Sequence, residues 1–156
     1  MSMFMKVPFA EGAADYAGHE GWIKLDLFQF DVDRSIAMEK GSLKTKAGGI
    51  TRFSEITICK NLDDTTTALL NHLIGYEGGC DVEVHMVMGS DKGTEATVKY
   101  KLTDTLFTNY SVNCSGDTQY ETLQLVFSSM DMQFHPHGAA GKNVSKNKFF
   151  HQMGKQ

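Results

Sequence analysis

The feature that most constrains this chain is a hydrophobic period of two. Apolar residues recur at alternate positions across most of the sequence. The only prolines, Pro8 and Pro136, lie near the ends of the patterned region. Period two sends alternate side chains to opposite faces of an extended backbone, so one face can be buried and the other wet. Proline cannot donate to a strand ladder, so its absence from the interior lets strands run unbroken. Asp81 to Met88 alternates cleanly, with Val82, Val84, Met86 and Met88 inward and Asp81, Glu83 and His85 outward. Ala96 to Cys114 follows, with Val98, Tyr100 and Leu102 opposing Lys99 and Lys101.

Two runs change phase midway. Trp22 to Arg34 reads as one long strand, apolar at Ile23, Leu25 and Leu27 and then at Phe28, Phe30 and Val32. Gln119 to His135 is apolar at Leu123, Leu125 and Phe127 and then at Met130, Met132 and Phe134, with a bulge expected at Ser128-Ser129. A switch within one strand means a bulge or burial on both faces. Phe4 to Val7 reads as a short first strand, and Ile50 to Leu62 as another, with Ile56, Ile58 and Leu62 in phase. Glu11 to Gly21, Gly89 to Gly93 and Gly116-Asp117 read as loops or turns. Ser35 to Gly49 is a long excursion, and loops of this length usually carry function.

Between Asp63 and Tyr76 the period changes. Leu69, Leu70, Leu73 and Ile74 follow helical spacing, Asp63 or Asp64 can cap the start, and Gly75 or Gly78-Gly79 can end it. The spacing therefore predicts a helix over Thr65 to Ile74. The fold class expected is mainly β: an antiparallel β-barrel of six or more strands, with one α-helix and one long extended loop. Closure removes exposed strand edges, and the helix is expected to plug one open end or lie against the outside.

A chain of 156 residues fits one domain, read as 1–137. Residues 138–156 carry Lys142, Lys146, Lys148 and Lys155 and no acid, and are read as a basic, flexible tail. The tail is +4 and the rest −8, giving the formal net charge of −4. An acidic body argues against nucleic acid as a partner, because affinity for phosphate chains comes mainly from basic charge. No apolar run approaches the roughly 20 residues of a membrane span. Met1 to Ala10 has one lysine and no apolar core, so it does not read as a secretory signal. The expectation is a cytoplasmic protein before assembly, which leaves the cell by a signal-independent route. Three cysteines, Cys59, Cys80 and Cys114, without close spacing do not form a disulfide framework.

No stretch demands catalytic geometry. His135-Pro136-His137, with His19 as a third ligand, is a weak metal pattern without accompanying cysteine pairs. A cysteine nucleophile needs a neighbouring base, and none of the three has one in its local sequence. Serine offers no Gly-x-Ser-x-Gly elbow. Gly48-Gly49 and Gly78-Gly79 lack the Gly-Lys-Ser/Thr of a phosphate loop. Asp63-Asp64 are explained by capping. No catalytic residue, cofactor or metal is assigned.

The order of elements resembles a known family. Phe4-Met5-Lys6-Val7 resembles its short first strand, and His19-Glu20-Gly21-Trp22-Ile23 its His-x-x-x-Ile lead into the second. Leu27-Phe28-Gln29-Phe30 matches an aromatic pair spaced by one residue. Tyr100-Lys101-Leu102-Thr103-Asp104 resembles its Tyr-x-Leu-x-Asp strand, and Glu121 to Ser128 its Glu-x-x-x-Leu-x-Phe-Ser strand. The resemblance, over about residues 4 to 135, is to the hemolysin-coregulated protein (Hcp) family of type VI secretion systems. It implies a structural protein: a homohexameric ring that stacks into an inner tube and carries or chaperones secreted effectors. Its implied partners are further copies of itself, a spike protein of the VgrG type, contractile sheath proteins and effectors.

The interface candidates are Phe28, Phe30, Val32, Met38, Lys40, Lys44 and Lys46. The two-faced strand supplies the first three, with Phe28 and Phe30 expected to face out of the barrel against a neighbour. The Met38 to Gly49 loop supplies the others, matching the family's extended loop. The competing readings are a monomeric small β-barrel ligand-binding module and a hydrolase whose site the sequence does not mark.

Overall fold

Closure of the sheet is decided at Asp26. The computed structural model describes residues 1–35, 50–75, 78–88, 98–135 and 147–154. After β1 (Ser2–Lys6), the run expected as one strand over Trp22 to Arg34 is three short ones: β2 (Ile23–Leu25), β3 (Leu27–Gln29) and β4 (Val32–Arg34). β2 pairs with β1, β4 pairs with β5 (Thr51–Phe53), and β3 pairs with β6 (Ile56–Asn61). The phase switch read from the sequence is this change of partner. Ile23 and Leu25 are buried, Leu27 then faces out, and Phe28 returns to the inside.

The remaining elements are α1 (Thr66–Gly75), β7 (Cys80–Val87), β8 (Val98–Ser115), β9 (Thr118–Val126), β10 (Ser129–Phe134) and β11 (Asn147–Gln152). The main sheet runs β2-β1-β7-β8-β9-β6-β3, antiparallel throughout. Its two ends, β2 and β3, are successive segments joined by Asp26, so the sheet curls back on itself as a barrel. At the seam the Asp26 N–H donates to the Cys59 carbonyl at 2.8 Å. The ladder is not continuous across that seam.

Ile50 to Leu62, expected as one strand, breaks at Ser54-Glu55. Ser54 and Asp31 pin the break: the Ser54 N–H donates to the Asp31 carbonyl at 2.9 Å, and the Asp31 N–H to Ser54 Oγ at 2.7 Å. β8 and β9 form a long hairpin around Gly116, whose φ of +58° suits glycine. β10 resumes the same pairing with β8 beyond a gap at Phe127-Ser128. The bulge expected at Ser128-Ser129 is this gap. It sits opposite Asp104, held at φ +53°, whose carboxylate accepts the Ser128 hydroxyl at 2.9 Å.

Two expectations need correction. Asn147–Gln152, placed in a solvated tail, pairs with β10 as β11. Opposed residues share a face, so Phe149 and His151 lie on the side of Met132 and Met130, and His151 stacks on Phe53 at 4.2 Å. In β7, Met88 was expected inside and His85 in water. Met88 is 49% exposed, while His85 is half-buried and Val87 buried, because the loop before β2 covers that end of the outer face.

The barrel interior is filled by side chains from every main strand, among them Met5, Ile23, Ile58, Val84, Leu102 and Leu125. The helix closes one end, with Leu69 fully buried in the same core and Ile74 exposed. Asp63 caps it as expected: its Oδ1 accepts the Thr65 N–H at 2.9 Å, and its carbonyl accepts the Thr66 N–H at 3.2 Å.

Candidate functional site

Cys80 Sγ lies 3.9 Å from His72 Nε2, a cysteine–histidine pair that sequence reading missed because helix and strand bring it together. It is not set up for nucleophilic attack. Burial pushes the Cys80 thiol up, and Asp81 and Asp104 push it further. A nucleophile needs the opposite shift, toward thiolate. The His72 ring is instead stacked on Phe9 at 4.0 Å. All three cysteines are free, with Cys114 exposed near the β8–β9 turn. Of the proposed metal trio of His19, His135 and His137, His137 lies outside the described residues, and His19 meets His85 at 2.9 Å between ring nitrogens. Among the described residues no three His, Cys, Asp or Glu side chains gather to hold a metal ion.

A second constellation lies under the helix. Lys60 on β6 and Glu121 on β9 are direct cross-strand partners, form an ion pair, and are both fully buried. Glu121 also accepts the Tyr110 hydroxyl at 2.8 Å and the Thr66 hydroxyl at 3.0 Å. Lys60 also donates to Asp63 Oδ1 at 2.6 Å and to the Asn61 carbonyl at 3.0 Å. Burial raises the Tyr110 hydroxyl to about 12, with the Glu121 carboxylate adding to it. Burial pushes Asp63 up, but its bonds from Lys60 and Thr65 outweigh this and hold it below the usual carboxylate range. The network welds the helix start to the barrel end. The sequence did carry a signal: Lys60 falls in phase with Ile56 and Ile58, and Glu121 with Leu123 and Leu125. Opposite charges at inward positions of two strands are what a buried pair requires.

The interface candidates are divided by the structure. Phe28 and Phe30, expected to face out, turn toward the core. Their rings lie 4.9 and 5.9 Å from the Tyr100 ring and 5.9 Å from each other. The break at Asp26 shifts the phase by one residue and so reverses the expectation. Val32 does face water at 50% exposure, as does Leu27 at 38%. Ile50, 49% exposed, joins them at the far side of the β4–β5 stem, where the Ser35 N–H donates to its carbonyl at 3.3 Å. Met38, Lys40, Lys44 and Lys46 lie outside the described residues.

Beyond the end covered by the loop before β2, the outer face of the sheet carries a matched row of charges. Lys6, Glu83, Lys101 and Asp131 oppose one another in register across β1, β7, β8 and β10, alternating in sign. A shallow groove of about 150 Å³ lies on this face, lined by Glu83, His85, Lys99, Lys101, Asp131 and Gln133.

No curated protein matches the chain significantly in sequence. Solved structures do match in fold. One described as a type six secretion system protein is 17% identical with a TM-score of 0.83, covering 97% of this chain and 95% of its own. A type VI secretion system effector from Yersinia pestis is 16% identical with a TM-score of 0.73, covering 96% and 98%. A chain of the anti-feeding prophage baseplate is 9% identical with a TM-score of 0.52, covering 84% and 90%. The sequence model for "Type VI secretion system effector, Hcp" matches residues 4–134, from within β1 to the end of β10. The chain therefore belongs to the Hcp family of type VI secretion systems, as a structural component of the secretion tube and not an enzyme.

Proposed function

We propose that the chain closes into a homohexameric ring and that its rings stack into the inner tube of the secretion system. Secreted effectors are carried or chaperoned inside, a spike protein of the VgrG type caps the end, and contractile sheath proteins surround the tube. The observation that carries this reading is the family match across residues 4–134. It is supported by the fold likeness to a baseplate chain from a structure described as six-fold symmetrised. Export follows a signal-independent route after folding in the cytoplasm, consistent with three free thiols.

In this reading the ring contact is made beside the β4–β5 stem. Leu27 and Val32, exposed apolar side chains on neighbouring segments of this region, supply the apolar contact, as exposed apolar surface often does at an interaction site. Phe28 and Phe30 act beneath it, setting the position of β3 and β4 through Tyr100. Met38, Lys40, Lys44 and Lys46 reach the neighbouring subunit or the next ring, where their charge meets an acidic body. Exposed ion pairs are weak singly, roughly 0–1 kcal/mol each, but a ring repeats each contact once per subunit. Stacking then weakens with salt more than ring closure does. The test is a pair of variants followed by light scattering and electron microscopy. Val32→Asp is expected to leave a folded monomer, and joint replacement of Lys40, Lys44 and Lys46 by Glu to leave rings that no longer stack. Unchanged rings and tubes from both variants would remove these residues from the interface.

A further inference from the structure

A loop from Gly12 to Trp22 lies against the outer face of β1 and β7. It is braced within itself. The Gly12 N–H donates to the Gly21 carbonyl at 2.8 Å, the Gly21 N–H to Ala14 at 2.9 Å, and the Ala14 N–H to Trp22 at 3.1 Å. What holds this unit to the sheet is a small second core, separate from the barrel interior. Phe4 and Val87 are buried there, with Ala14, Tyr16 and Trp22 packed over them.

Two histidines sit at this contact, one on each side. His19 of the loop is 2% exposed and its Nε2 meets Nδ1 of His85, on β7, at 2.9 Å. His19 stacks on Phe4 at 4.9 Å, and His85 lies 4.5 Å from the Trp22 ring. A nitrogen–nitrogen bond of this kind needs one ring to donate and the other to accept. With both rings protonated neither can accept, and two cations face each other at hydrogen-bond distance.

We propose that the His19–His85 pair is an acid-released clasp. When both imidazoles are charged, the loop from Gly12 to Trp22 lifts from β1 and β7 and bares the apolar surface of Phe4 and Val87.

The surroundings do not neutralise that charge. Lys6 on β1 lies 5.8 Å from the Trp22 ring, and Lys99 is the cross-strand partner of His85 on β8. His135, following β10, adds to the same field. Two carboxylates oppose them. Glu83 is 3.8 Å from His85 Nε2 but 43% exposed, and Glu20 is exposed and engaged with the Gly18 N–H at 3.0 Å. Burial, before any charge, pushes the His85 imidazole down to about 4, with His19, Lys99, His135 and Lys6 acting in the same direction. Burial also lowers His19.

The sign follows from linkage. The closed loop resists protons that the open loop accepts at the ordinary histidine value of 6.5. The clasp is at full strength above that value and weakens as pH falls from 6.5 toward 4. Each pH unit within that window moves the balance toward the open form by up to about tenfold through His85, and His19, also lowered, acts in the same direction.

The chain's single tryptophan, Trp22, reports on the clasp. The experiment is an emission titration of the full chain from about pH 8 to about pH 4, with far-UV circular dichroism recorded alongside. The expected result is a red shift of Trp22 emission as the pH falls below the ordinary histidine range, with the strand signal intact. The double variant His19→Gln/His85→Gln is expected to lose that transition. A red shift of unchanged midpoint in the double variant, no shift in the parent, or a shift that tracks loss of strand signal would each overturn the proposal. If the variant does not fold, the imidazole titrations of the parent decide by NMR. His19 and His85 titrating at the ordinary value would overturn the clasp; values below it support it.

Discussion

Replacing Lys60 by methionine tests the weld between helix and barrel. Both Lys60 and Glu121 are fully buried, so the substitution strands a carboxylate with no access to water. Two of its partners remain, the hydroxyls of Tyr110 at 2.8 Å and Thr66 at 3.0 Å, but no cation does. Removing one member of a buried pair costs about 3–5 kcal/mol, because the survivor keeps its desolvation penalty without its counter-charge. For a chain of this length that lowers the unfolding midpoint by roughly 10 °C. With a urea slope near 2 kcal/mol per molar, it lowers the urea midpoint by about 2 M. The companion variant Lys60→Met/Glu121→Leu removes both charges, and apolar replacement of a whole pair is often neutral or better. It should recover more than half of the loss, since Tyr110 and Thr66 are only half-buried and can turn to water. Urea unfolding of the three proteins is the assay. A loss under about 1 kcal/mol for Lys60→Met, or a double variant no better than the single, would refute the reasoning.

Gly12→Ala should destabilise the chain by about 1–3 kcal/mol in the same assay, since its Cβ would sit 2.2 Å from the Trp22 carbonyl oxygen. Thiol labelling at mildly alkaline pH should modify exposed Cys114 well before Cys80, whose thiol burial holds up; equal rates would contradict the packing around α1. Because Asp63 is held below its ordinary 3.8, its contribution is complete above that pH and fades as the pH falls through its lower folded value. Asp63→Asn should therefore lose stability near neutrality yet converge with the parent in strong acid, as followed by thermal melts.

The clean parts of the alternation were the legible ones. β7 and β8 follow Val82, Val84, Val98, Tyr100 and Leu102 as read, and α1 follows the single change of period. Alternation reports which way a side chain points, but not which strand lies beside it. That is why Trp22 to Arg34 looked like one strand although β2, β3 and β4 have three different partners. The same step at Asp26 reversed the expected direction of Phe28 and Phe30. β11 was hidden by its basic neighbours and becomes readable only once Phe149 is seen across from Met132. The His19–His85 contact joins residues 66 apart and leaves no local pattern.

If this barrel is a ring-forming subunit, its mass in solution shows it. Light scattering coupled to gel filtration should give about 104 kDa, six copies of the 17.3 kDa chain closed by head-to-tail contact. A single species of 17.3 kDa across the accessible concentration range would contradict it.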